Sequence, residues 1–378
     1  MAMCSRRERD TPGCARSTPP LFHPSPPPTN TPHSHGYGAT TIHRADVVSA
    51  LYAGLAPSAS SKILTNKALS TITPHPTGIT VTCTDGTTHH GTILIGADGV
   101  HSTTRSLLRT AALEANPPIP WTDAPNPFPA TYQLLFGAFP TPSPAGLGYD
   151  IQAKDKAIMY LSGHTRSWFF LYRKLPNGPT TARSRYTDAD IQAVAAEFMD
   201  FPLTDKGVKV KDVWPTMLGA GLTDLGEGIA SRWSLGRSVL VGDACHKFTT
   251  HLGLGFNNGV QDVVVLVNML RAALEKGGGE LGEEGIKGVF EGYEKVRKSS
   301  ECSMSVDAVR SGQETRMHAW ANAGYYLLSR WVIVPKFMED LMLRFVISPE
   351  LRKGRVLDFV AGEEPMMGRM SWLYPMKR

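Results

Sequence analysis

The sequence predicts an α/β fold interrupted by a β-rich insertion, and three observations predict it. Residues 40–110 and 231–310 each contain short strands, a glycine-bearing loop and a helix. Between them, residues 131–138 and 157–173 are runs of aromatic and β-favouring residues that suit a sheet. In both flanking units the glycines fall where a buried strand meets a helix N-terminus, a place where backbone N–H groups are free to hold an anion. Such interleaving is expected of a nucleotide-binding domain into which a substrate domain has been inserted.

The bulk properties narrow the class. A chain of 378 residues can bury one large core or two modest ones. Its 42% hydrophobic and 19% charged content is that of a soluble globular protein. The net charge of +5 is spread without a run of five basic residues, which argues against nucleic acid as a partner. Five cysteines (Cys4, Cys14, Cys83, Cys245, Cys302) lie far apart with no C-x-x-C pair, pointing to a reducing, cytoplasmic setting and no structural metal. The N-terminus has charge but no apolar stretch behind it, so a secretory signal is not expected. Residues 323–347 are apolar but interrupted by Arg330, Lys336, Glu339, Asp340 and Arg344, and fall short of the roughly 20 apolar residues of a spanning helix. They are expected to form amphipathic helices packed on the body, with peripheral membrane contact as the alternative.

Taken in order, residues 1–38 carry eight of the 28 prolines and are expected to be a disordered leader. His23, His33 and His35 lie within it and lack a fixed geometry for a metal. Residues 39–115 form the first part of the nucleotide-binding domain. There Val47, Val48, Leu51 and Leu55 recur at helical spacing, and short alternating strands follow, broken by turn signals at 76–78 and 85–86. Ile93, Leu94 and Ile95 make a buried strand ending at Gly96. Residues 116–230 form the β-rich domain, with a helix over 187–200 capped by Thr187 or Asp188. Residues 231–310 complete the nucleotide-binding domain, and 311–378 are expected to be a helical C-terminal region.

Two motifs carry the chemistry. In "ILIGADGVHSTTRSLL" (93–108), a strand runs into Gly96-Ala97-Asp98-Gly99, and Ser102 is placed to cap the next helix. The glycines allow close backbone approach, Asp98 offers an acceptor, and Arg105 is placed to meet a carboxylate or phosphate. In "VLVGDACHKFTTHLGLGFNNGVQDVVVLVNML" (239–270), a strand ends at Gly242-Asp243, and Gly253-Leu254-Gly255 open a long apolar helix. Its N-terminus would stabilise an electron-rich ring oxygen such as flavin O2, and Asp243 can accept hydrogen bonds from a polyol chain. Cys245 and His246 have no third partner at nucleophile spacing and are expected to shape the loop.

Together, "GADGVHSTTR" and "RWSLGRSVLVGDACHKFTTHLGLGFNNGVQDVVVLVN" resemble the D-G and G-D motifs of FAD-dependent monooxygenases of the aromatic-hydroxylase superfamily. The "HK" after "GDAC" and the "NNG" after "GLG" resemble the fungal secondary-metabolite branch. The resemblance covers roughly residues 40–350. It implies a Rossmann-like FAD/NAD(P)-binding domain with an inserted substrate domain. It also implies FAD as cofactor, NAD(P)H as electron donor, and O₂ with an apolar terpenoid, meroterpenoid or polyketide-derived intermediate as substrates. Epoxidation or hydroxylation by a flavin C4a-hydroperoxide would be the reaction. The implied cofactor-binding residues are Arg44 for the ribose and pyrophosphate region, Asp98 and Gly99 beside FAD, Asp243 for the ribityl chain, and Gly253 and Gly255 against the isoalloxazine. No catalytic side chain is implied.

The sequence departs from the pattern in two places. Residues 1–38 contain no strand–G-x-G-x-x-G–helix unit, the family's pyrophosphate cradle. An altered start, or a catalytically silent flavoprotein remnant, would account for that. Thr250 also stands where relatives often have proline, which predicts a looser turn beside the flavin.

Overall fold

In the computed structural model the described residues are 21–23, 42–153, 155–250, 253–299, 345, 348–362 and 368–377. The chain opens with β1 (Leu21–His23) and α1 (Arg44–Ala53). A three-stranded antiparallel sheet follows, made of β2 (Leu69–His75), β3 (Gly78–Cys83) and β4 (Thr88–Gly91). Next come β5 (Leu94–Gly96) and α2 (Thr103–Glu114), whose N-cap Ser102 accepts a hydrogen bond from the Arg105 N–H, as the sequence predicts.

The insertion is built from β6 (Ala130–Pro140), β7 (Gly148–Ala153), β8 (Lys156–Ser162) and β9 (Arg166–Lys174), then α3 (Asp188–Ala196) and β10 (Gly219–Gly226). Thr187 and Asp190 cap α3 reciprocally, so the capping residue is Thr187 and not Asp188. The strands form an antiparallel sheet in the order β1-β7-β8-β9-β6-β10. Period-two alternation divides its side chains. Leu135, Phe139, Ile158, Tyr160, Phe169 and Leu171 face a core closed by Val194, Ala195 and Phe198 of the α3 region. Leu134, Tyr172 and Leu225 face the other way, towards the nucleotide-binding half.

After β11 (Gly228–Ile229), the chain returns through β12 (Ser234–Leu235), β13 (Ser238–Leu240) and β14 (His246–Lys247) to two helices. These are α4 (Leu254–Lys276) and α5 (Glu283–Lys298). β13 pairs with β5 in parallel, Val239 against Ile95 and Leu240 against Gly96, which joins the two halves of the nucleotide-binding layer. Gly96 is required there, because a Cβ would lie 2.7 Å from Thr104 Cγ2 and 2.9 Å from Leu240 Cδ2. The core of this layer combines Leu108 and Ala112 of α2 with Val239–Val241, Val265 and Leu266 of α4, and Val289, Phe290 and Tyr293 of α5.

One expectation is corrected and others are made specific. Residues 21–23 of the leader are not unstructured: β1 pairs antiparallel with β7. An open sheet edge accepts such a short strand. The helical repeat near residue 48 does form α1, but Val48 and Leu51 are 59% and 63% exposed. The helix from Val260 is not buried all round either: Val264, Val265 and Leu266 are buried, while Val260 and Val263 face outward. Of the C-terminal helices, only Ser348–Leu351 falls among the described residues. Residues 355–358 instead lie along α4, held at both donor and acceptor by two amides. Gln261 bonds the Arg355 backbone at 3.1 and 2.9 Å, and Asn268 bonds Val356 O and Asp358 N at 2.8 and 3.1 Å. Residues 323–347 lie outside the described residues except for Phe345, and no described helix is long and apolar enough to cross a membrane.

Candidate functional site

Because β5 and β13 are parallel neighbours, the loops that leave them emerge side by side at the carboxyl ends of the strands. That is where open α/β sheets bind ligands. The two loops are stapled together by Arg105. Its Nη1 donates to Ala244 O at 2.7 Å, 139 residues away, and its Nη2 donates to Val100 O at 2.8 Å. The expectation that Arg105 meets a carboxylate or phosphate is therefore corrected: it meets carbonyls of both motifs. The side chain is buried, its guanidinium lies 4.8 Å from the Phe128 ring centre, and burial lowers its pKa while Asp98 opposes that shift.

Asp98 has a local task. Its Oδ1 accepts from Ser102 Oγ at 2.5 Å, and its Oδ2 accepts from Thr104 N at 2.9 Å and Thr104 Oγ1 at 3.0 Å. The carboxylate thus closes the first turn of α2 and fixes the loop through Gly99, which takes φ 79°. Asp243 lies in the short turn Gly242–Ala244 and accepts from Lys247 Nζ at 2.7 Å. Gly253 is the N-cap of α4 with φ 62°, a left-handed conformation that a glycine adopts without strain. Around Gly99, Gly253 and Gly255 an added Cβ would meet nothing within 4 Å. Open space therefore lies beside the N-terminus of a 23-residue helix, so the residues present fit the electron-rich edge of a flavin.

Beneath these loops lies a buried ionic network that the motif reading missed. Asp262 Oδ2 accepts from His246 Nε2 at 2.6 Å and from the Gly242 N–H at 2.8 Å. Its Oδ1 is 2.6 Å from Arg297 Nε, and Arg297 Nη2 reaches Asn258 Oδ1 at 2.8 Å. All four side chains are fully buried. Burial works to raise the Asp262 pKa, but His246 and Arg297 outweigh it and hold the carboxyl below its usual range. One clue was available: an aspartate inside "GVQDVVVLV" must find a cation, since a lone buried charge is too costly. Among the described residues, Cys245, His246 and Asp262 are the one group whose metal-binding atoms lie within 4.8 Å of one another, and its cation is Arg297. Burial, and then Asp262, push the Cys245 thiol well up from its ordinary value, so it is no nucleophile. Cys245 and His246 shape the loop, as expected.

Between this layer and the inserted sheet is a cavity of about 630 Å³. Leu134, Phe136, Trp168 and Phe170 line it from the sheet, and His101, Lys247 and Thr250 line it from the motif loops. Of the aromatic run on β9, Trp168 and Phe170 reach the cavity and Phe169 belongs to the opposite core. Tyr172 OH bonds Thr250 Oγ1 at 2.9 Å, so the position expected to loosen the turn instead ties it to the sheet. Of the expected cofactor residues, Arg44 lines the cavity directly. Asp98, Gly99, Asp243, Gly253 and Gly255 stand on the adjoining loops, outside its lining.

A split nucleotide-binding layer facing an antiparallel sheet across a cavity is the architecture of FAD-dependent hydroxylases. The family model described as FAD binding domain matches residues 29–284, and the chain belongs to that family. Solved structures show the same fold. One is a salicylate hydroxylase substrate complex, with a TM-score of 0.55, 17% identity, and coverage of 83% of this chain and 75% of that one. Another is Klebsiella pneumoniae HpxO complexed with FAD and uric acid, with a TM-score of 0.52, 19% identity, and coverage of 76% and 67%. In sequence, the chain is 37% identical over 201 residues to FAD-dependent monooxygenase SAT1 of Stachybotrys chartarum, covering 52% of this chain and 66% of SAT1. It is 32% identical over 282 residues to FAD-dependent monooxygenase srdH of Neurospora crassa, covering 70% and 62%. FAD-dependent monooxygenase prhF of Penicillium brasilianum matches at 31% over 239 residues, covering 62% and 50%. The chain thus spans about half to two thirds of the length of these fungal relatives.

Proposed function

We propose that the chain acts as an FAD-dependent monooxygenase that uses NAD(P)H and O₂ to epoxidise or hydroxylate an apolar terpenoid, meroterpenoid or polyketide-derived intermediate of secondary metabolism. The observation that carries this reading is the pair of loops at the ends of β5 and β13, stapled by Arg105 and opening beside a largely apolar cavity. FAD, when bound, would accept a hydride and activate O₂. The chain's own residues supply binding, orientation and exclusion of water. Arg44 would meet the phosphate and ribose region, Asp243 the ribityl chain, and Gly99, Gly253 and Gly255 the ring. Asp98 would act by fixing the loop, since both of its oxygens already accept bonds from Ser102 and Thr104. No side-chain acid or base is assigned.

The alternative is a catalytically silent flavoprotein, and one observation favours it: α1, which carries Arg44, exposes its apolar residues. Titrating the purified protein with FAD, followed by NADH- and NADPH-driven O₂ consumption, separates the two. Micromolar FAD binding with reductant-dependent O₂ uptake supports the monooxygenase. FAD binding without O₂ uptake, or no FAD binding at all, supports the silent form and overturns the monooxygenase.

A further inference from the structure

The cavity has an apolar sheet wall and also carries cationic side chains in its lining. Arg44, His101, Arg183 and Lys247 all line it. Lys247 is neutralised by Asp243 at 2.7 Å. Among the described residues, neither Arg183 nor His101 has a hydrogen-bond or ion-pair partner. Arg183 belongs to the segment between β9 and α3, on the sheet side, whereas His101 follows Gly99 on the flavin side. Burial disfavours the His101 cation, and after burial Arg183 opposes it most, ahead of Arg105 and Lys247. Positively charged groups that line one cavity disfavour each other's charge until an anion lies between them.

Resting on the monooxygenase reading, we propose that Arg183 and His101, which both line the cavity, form an anion-binding site in it, so that the substrate is an apolar molecule bearing an ionised carboxylate or enolate oxygen. The apolar body would lie against Leu134, Phe136, Trp168 and Phe170, which a purely polar anion could not use. Arg183 is the specificity-determining residue of the pair, because its planar fork can take a carboxylate through two parallel bonds.

The test compares two ligands of one shape and different charge, 2-naphthoate and 2-naphthamide, by calorimetric titration of the full chain with and without FAD. Naphthoate is expected to bind at least about tenfold more tightly than naphthamide, a difference of about 1.4 kcal/mol. Arg183→Gln should abolish that ratio and Arg183→Lys should keep part of it. Arg185→Gln, two residues along and outside the cavity lining, should leave it intact. Equal binding of the two ligands, no measurable binding of either, or an unchanged ratio in Arg183→Gln would each overturn the proposal. Inorganic pyrophosphate is the third probe: if it displaces naphthoate in an Arg183-dependent way, the cations serve a phosphate and the substrate assignment falls. Failure of FAD binding or O₂ uptake would sink the monooxygenase reading instead, and is measured separately from these ratios.

Discussion

Arg105 and Asp262 are the two side chains on which the site most depends. Replacing Arg105 with alanine leaves Val100 O and Ala244 O without a donor in a buried setting. The expected loss is about 2–4 kcal/mol in urea denaturation, together with weaker FAD binding. Asp262→Asn strands Arg297 and the His246 N–H beneath the loops and should cost about 3–5 kcal/mol. The acid limb follows from the same contacts. The folded-state pKa of Asp262 lies below its ordinary value, so its contribution is complete above the unfolded carboxylate value of about 3.9 and is lost as pH falls through the folded one. Denaturation midpoints measured between about pH 2 and 5 should therefore fall less steeply for Asp262→Asn than for the parent. Sequence reading reached the Ser102 cap because the cue is local. It missed the Asp262–Arg297 pair because the partners belong to different helices, 35 residues apart.

Among the elements, α4 carries the strongest constraint, since its N-cap Gly253 takes a left-handed φ of 62°. Gly253→Ala should cost about 1–2 kcal/mol of backbone strain. It should also lower FAD affinity in a fluorescence titration, because the strained residue opens the helix whose N–H groups would face the ring. Thr187→Ala, at the cap of α3 in the insertion, is the matching control. It should cost about 1 kcal/mol and leave FAD affinity alone. Both helices were legible from capping and turn residues. The exposure of α1 was not, because a 3.6-residue period states that a face is apolar and says nothing of what covers it. β1 escaped notice for a related reason: Leu-Phe-His among prolines carries no alternation, and its strand character comes from the edge of β7.

Across the whole molecule, the proposed reaction would require the inserted sheet and the nucleotide-binding layer to keep a fixed distance, so that oxygen reaches a substrate before water does. The Tyr172–Thr250 hydrogen bond is one tie between them. Tyr172→Phe should cost little stability, about 0.5–1.5 kcal/mol. In the proposed reaction it should nevertheless raise the fraction of NAD(P)H electrons that appear as hydrogen peroxide, measured against O₂ consumed. An unchanged peroxide fraction would mean that other contacts set the spacing.

The parallel pairing of β5 with β13 also bears on synthesis at the ribosome. Leu94–Gly96 are made long before Ser238–Leu240, and the whole insertion is translated in between. The antiparallel sheet can close largely through neighbouring strands, whereas the nucleotide-binding layer must wait with an unmatched strand until its distant partner emerges. Nascent chains stalled after residue 230 should accordingly yield a protease-resistant core from the insertion, while β5 and α2 remain open to cleavage and to chaperone capture.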